Sequence, residues 1–139
     1  MSDTRLSRMM HVLVHMQLLG GSETSEVISR MLNTHPVVVR RTMALLRDAG
    51  IVTSVGGRSG GWTLARPAEA ISMLDVFSAL DGQTFAIGLS DDHRQCPVEQ
   101  QVNHLIGHAL DKAGTVLRQE LGRVTVAALA AQHQGTATV

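Results

Sequence analysis

The stretch from Thr24 to Gly50 constrains this chain more than any other, because two short amphipathic segments stand there only a few residues apart. Thr24 can cap a helix whose first turn holds Glu26, with Val27, Ile28 and Met31 facing inward. Asn33 suits a left-handed turn, since its short polar side chain tolerates positive φ. Thr34-His35-Pro36 then opens a second helix. Thr34 or His35 can cap it, and Pro36 is tolerated where first-turn amides lack partners anyway. Val39, Met43 and Leu46 recur at i, i+4 and i+7 as its buried stripe, and Gly50 stops it. Two helices about four residues apart, the second with a polar outer face, form a helix-turn-helix pattern.

The flanks extend this reading. Leu6, Met9, Met10, Leu13 and Met16 mark a helix over 6–19, closed by Gly20-Gly21. After the pair come two β-type runs, Ile51–Val55 and Trp62–Leu64, around Gly56-Gly57-Arg58-Ser59-Gly60-Gly61, a hairpin in the position of a wing. Ser72 with Asp75 makes a capping box for a helix carrying Ile71, Leu74, Phe77 and Leu80 and ending at Gly82. Residues 83–95 read as an irregular linker in which Asp91–Gln95 is solvated and mobile. From Pro97 a long helix carries Val98, Val102, Leu105, Ala109, Ala113, Val116 and Leu117 near heptad spacing. A seam of that kind, about 23 residues or roughly 35 Å long, is suited to pairing with a copy of itself. Thr125 caps a last short helix with Val126 and Leu129.

Apolar residues make up 44% of the 139, but the aromatics are two Phe and one Trp. Leu, Val, Met and Ala must fill the core, which favours helices over sheets. The expected fold class is mainly α with a small β-hairpin wing: a winged helix-turn-helix plus a long C-terminal dimerisation helix. The expected division is 1–66, the DNA-binding domain, and 67–139, a linker helix, regulatory loop and dimerisation helices.

Zero net charge hides an asymmetry. Residues 1–66 carry eight arginines against four acids, and residues 67–139 carry four cations against eight acids. A basic half beside an acidic half suggests that the first meets a polyanion. The single cysteine, Cys96, excludes an intramolecular disulfide and fits a reducing compartment. No secretory signal and no apolar run of membrane-spanning length is read, so the expectation is a cytoplasmic protein without membrane contact.

With Val39, Met43 and Leu46 in the core, the opposite face of that helix presents His35, Val37, Val38, Arg40 and Arg41 near its N-terminus, where a recognition helix meets base edges of double-stranded DNA. Arginine can pair bidentately with guanine, whereas valine offers only apolar contact. Arg58, with Ser59 beside it, sits among glycines that let a loop approach a groove closely. The competing reading, a phosphate-binding glycine loop, lacks a following helix and a Lys-Ser or Lys-Thr pair. No catalytic arrangement can be assigned, and an enzyme is not expected.

Residues 5–130 resemble the Rrf-two (Rrf2) family of winged-helix regulators, in its YwnA-like branch. The resemblance rests on Ser7–Met16, Asn33–Arg41, Leu46–Val52, Gly60-Gly61-Trp62-Thr63-Leu64-Ala65 and Gln95-Cys96-Pro97-Val98. It implies a homodimer that binds DNA through the recognition helix and wing, with the long helix as interface: Val98, Val102, Leu105, Ala109, Ala113 and Leu117. Two departures stand out. Gly56-Gly57 replaces the Arg-Gly usual after the first wing strand, leaving Arg58 as substitute. Cluster-binding relatives carry three cysteines before the long helix, and only Cys96 matches; one thiolate cannot replace a four-ligand set, so no iron–sulfur cofactor is expected.

Cys96 before Pro97 falls at or near the N-cap of the long helix, with the solvated Asp91–Gln95 beside it. It is a candidate redox site. His11/His15 and His104/His108 have the i, i+4 spacing of helical metal ligands, but neither pair has an obvious third ligand, and no metal site is assigned. The resulting expectation is a sequence-specific dimeric transcription regulator acting as a repressor, its effector unknown. The alternatives are a thiol or small-ligand sensor acting through Cys96, with any effector pocket between the fourth and long helices, and a dimerisation module with a vestigial helix-turn-helix.

Overall fold

Left-handed stops and side-chain caps divide the chain much as the sequence suggests. The computed structural model describes residues 3–56, 60–81 and 85–134. Helix α1 (Arg5–Leu19) ends where Gly20 turns left-handed at φ 72° and its N–H reaches Met16 O at 2.9 Å. Helix α2 (Ser25–Leu32) starts under Thr24, whose Oγ1 accepts from Val27 N at 3.2 Å, and stops at left-handed Asn33, φ 51°. Helix α3 (Pro36–Asp48) follows after Thr34 and His35. Strands β1 (Val52–Val55) and β2 (Gly61–Leu64) pair antiparallel, Val52 facing Leu64 and Val55 facing Gly61. Helices α4 (Met73–Ala79), α5 (Pro97–Gly122) and α6 (Val126–Ala131) complete the described elements, with a short 3-10 turn at Ala68–Ala70 that the sequence did not foretell.

Two compact units result, Met1–Gly82 with Leu121–Val139, and Gln83–Glu120. In the first, α1 is the central rod: it packs on α6, α4, β2 and α2. Met9, Val12, Leu13 and Met16 of α1, Ile28 of α2, Val39, Met43 and Leu46 of α3, Ile51, Ile71, Val76 and Val126 form one apolar cluster. The segment before α4 and the start of α6 are laced together by Met73 N to Val124 O (2.8 Å) and Val126 N to Ile71 O (2.9 Å). The unit holding the helix-turn-helix therefore extends past the 66/67 division drawn from the sequence.

Three expectations change in detail. On α2 the inward residues are Ile28 and Leu32, with Val27 and Met31 only half-buried. Ser25 and Ser29 take interior places because the Ser25 hydroxyl accepts from Trp62 Nε1 (3.1 Å) and Ser29 Oγ donates to Glu26 O (2.7 Å). The Ser72/Asp75 capping box is present, but α4 stops at Ala79. Asp81 N–H turns back to Ser78 O at 3.2 Å, and Asp81 takes the left-handed position (φ 51°) expected of Gly82, which lies outside the described residues.

The segment before α5 also departs from expectation. Asp91–Gln95 is exposed, as expected, but tied down. Glu99 Oε2 accepts from His93 N (2.9 Å) and Ser90 Oγ (3.2 Å), Asn103 Nδ2 donates to Ser90 O (2.8 Å), and Gln100 Nε2 donates to Arg94 O (2.8 Å). Three polar side chains in the first turns of α5 thus satisfy loop backbone that would otherwise be left to water.

Candidate nucleic-acid interface

The N-terminal end of α3 is built by its cap. His35 Nδ1 accepts from Val37 N at 3.1 Å, so of the two cap candidates it is His35 that serves. With Nδ1 an acceptor, the proton of the neutral ring sits on Nε2, leaving that N–H to donate outward. Pro36 fills the first helical position and loses no hydrogen bond there.

Burial of Val39, Met43 and Leu46 turns the other side of α3 to solvent. His35, Val37 (40% exposed), Val38 (44%), Arg40 and Arg41 are all exposed on it, so the structure brings these five sequence candidates together. Their states differ. Arg40 Nη2 pairs with Glu26 Oε1 of α2 at 3.1 Å, whereas no ion pair among the described residues engages Arg41. An exposed pair of this kind contributes less than about 1 kcal/mol, so a phosphate can compete for Arg40. Val38 also leans on a shallow crevice lined by Thr4, Arg5 and Arg8 of the α1 end. Arg5 is held by Asp3 at 2.8 Å, while Arg8 has no ion pair among the described residues. Sequence reasoning counted Arg8 only as charge; its place beside α3 comes from helix packing, which no local spacing reports.

The wing is anchored to the helix-turn-helix. Trp62 N donates to Glu23 O (2.8 Å) and Glu23 N to Trp62 O (3.0 Å), so the residue before the α2 cap adds a bridge to β2. Gly61 makes this approach possible: a Cβ there would lie 2.5 Å from Glu23 O. Arg58 and Ser59, the wing candidates, lie outside the described residues.

In the other unit, Cys96 is half-buried and immediately precedes α5, its carbonyl accepting from Gln100 N at 3.0 Å. Along α5, Val98, Val102 (48% exposed), Leu105 (60%), Ala109, Ala113 and Val116 are exposed, and Leu117 is half-buried. Among the described residues no group of three His, Cys, Asp or Glu side chains is arranged to hold a metal ion, and none of the helices is long and apolar enough to cross a membrane.

Residues 2–132 match the model of the Rrf2 family, described as iron-dependent transcriptional regulators. YwnA, an HTH-type transcriptional regulator of Bacillus subtilis (strain 168), is 32% identical over 124 residues, 87% of this chain and 90% of that protein. A solved structure described as a DNA-binding protein is 27% identical with a TM-score of 0.70, covering 88% of this chain and 95% of its own. CymR of B. subtilis shares the fold at a TM-score of 0.64, covering 95% and 97%. Iron bound as a cysteine-ligated cluster does not fit the donor set here, because the sequence holds one cysteine. Regulators, not enzymes, make up this family. The chain belongs to the Rrf2 family of winged helix-turn-helix, DNA-binding transcriptional regulators.

Proposed function

We propose that the chain is a homodimeric, sequence-specific repressor that reads double-stranded DNA with the N-terminal face of α3. The observation that carries this is the exposed cluster of His35, Val37, Val38, Arg40 and Arg41 on a helix whose other side is locked into the core. Arg41 supplies a base or phosphate contact, His35 Nε2–H a second donor, and the two valines apolar contact with thymine methyls or sugars. Arg8 adds charge beside them; Arg58 and Ser59, outside the described residues, are further candidates for DNA contact.

The bare α5 stripe supports dimerisation. Apolar residues at heptad steps, left exposed on a 26-residue helix, are costly in water and are covered by a second copy. A dimer seated across a promoter excludes polymerase by occupancy alone, so repression is the outcome that asks nothing further of the chain.

Footprinting the full chain on DNA upstream of its own gene tests the reading. Two protected half-sites about one helical turn, or a small multiple, apart are expected, with occupancy falling steeply as salt rises. Uniform or salt-insensitive binding would overturn it.

A further inference from the structure

A cavity of about 380 Å³ opens between α1 and α6, and none of the residues lining it is assigned above to DNA. Its lining is apolar on one hand, with Met10, Val14, Leu18 and Leu129, and imidazole-rich on the other, with His11, His15 and His133. Among the described residues, the only other polar side chain there is the Ser7 hydroxyl, and no Asp, Glu, Lys or Arg contributes. His15 is 7% exposed, and its Nδ1 is buried without a hydrogen-bond partner. His11 lies edge-on to it, ring centroids 4.7 Å apart. A buried nitrogen without a partner costs about 1–3 kcal/mol, so a core position filled by histidine rather than leucine calls for a reason beyond packing.

We propose that this cavity binds a small apolar monocarboxylic acid, its hydrocarbon body against Met10, Val14, Leu18 and Leu129 and its carboxyl group among the three imidazoles. The volume falls within the range, roughly 300–1,000 Å³, that encloses small organic ligands. The lining selects the charge. A cation would meet three imidazoles and no carboxylate; a phosphate would find no Arg or Lys; a neutral hydrocarbon would leave the His15 nitrogen unpaired. A carboxylic acid supplies both missing parts. At neutral pH it arrives as its carboxylate; a proton taken up from water bonds to an imidazole nitrogen of His15, and a carboxylate–imidazolium pair results. Burial first, then His11 and His133, hold His15 below its usual pKa of 6.5, so the ring is neutral and able to take that proton. Placing the site between α1 and α6 differs from the sequence expectation of an effector pocket between the fourth and long helices.

Histidine side-chain NMR of the full chain at neutral pH, titrated with benzoate, octanoate, benzamide, benzylamine and Zn²⁺, tests this. The expected result is saturable movement of the His11, His15 and His133 ring signals with benzoate or octanoate, and a His15 pKa raised on binding. Benzamide is expected to bind about tenfold or more weakly, having no charge to pair, and Leu129→Trp to abolish binding by filling the cavity. Circular dichroism checks that variant's fold; should it not fold, the probe series on the unaltered chain decides alone. No saturable shift with either acid, equal binding of benzamide, preference for benzylamine, or stoichiometric Zn²⁺ binding where the acids do nothing would each overturn the proposal.

Discussion

Arg40 and Arg41 are neighbours in sequence and both exposed, yet one is paired with Glu26 and the other engages no ion pair among the described residues. That difference has consequences for binding. Arg41→Ala is expected to weaken specific DNA binding by about 1–3 kcal/mol, because the contact is lost without compensation. Its thermal stability should stay within about 0.5 kcal/mol of the parent, as for an exposed residue away from the core. Glu26→Gln is expected to act the other way, releasing Arg40 and removing a negative charge, so that affinity rises most at low salt; a fluorescence anisotropy titration reads both. The sequence shows that both arginines lie on the outer face, since the Val39, Met43, Leu46 stripe fixes the rotation of α3. It does not show the Glu26 partner, fourteen residues away on another helix. His15 is the other residue-scale case. Its folded pKa is depressed, so the unfolded chain binds the proton more readily. The stability it contributes is present above about pH 6.5 and is lost as pH falls from there toward the lower folded value. Thermal melts from pH 7.5 to 5.5 should show this loss, and His15→Gln should flatten it relative to the parent.

At the scale of elements, the wing hairpin depends on one close approach. An added Cβ at Gly61 would meet Glu23 O, Glu23 C and Thr24 N at 2.5, 2.7 and 3.0 Å, all backbone atoms that cannot rotate aside. Gly61→Ala is therefore expected to cost about 1–3 kcal/mol in urea unfolding and to loosen the bridge between β2 and the start of α2. An unchanged midpoint would count against the bridge. The glycine-rich loop and the flanking β-type runs announce a hairpin in the sequence, and the caps at Thr24, His35, Ser72 and Thr125 are local signals read within three residues. The Trp62–Ser25 hydrogen bond and the Glu23 bridge are not local: they join positions 37 and 39 residues apart, so no window of sequence contains both ends. The anchoring of Asp91–Gln95 is nearer in sequence, six to thirteen residues, but follows no motif that local spacing reports. Its composition reads as solvated loop, and only the returning side chains of Glu99, Gln100 and Asn103 hold it.

For the whole molecule, the proposed dimeric regulator depends on two surfaces: the outer face of α3 and the apolar stripe of α5. The heptad spacing of Val98, Val102, Leu105 and Ala109 is legible in the sequence, and all four are exposed in the structure. Leu105→Glu places a charge in the middle of that stripe. It is expected to yield a monomer by sedimentation velocity, with DNA affinity reduced by several orders of magnitude because a second half-site no longer contributes. The most direct measurement of the central claim is the salt dependence of affinity for the chain's own upstream DNA, for the parent and Arg41→Ala. Log Kd is expected to rise linearly with log salt in both, and the slope to fall by about two in the variant, one phosphate-equivalent for each copy in a dimer. An Arg41→Ala protein with the parent's affinity and slope would contradict the assignment of the α3 face to DNA.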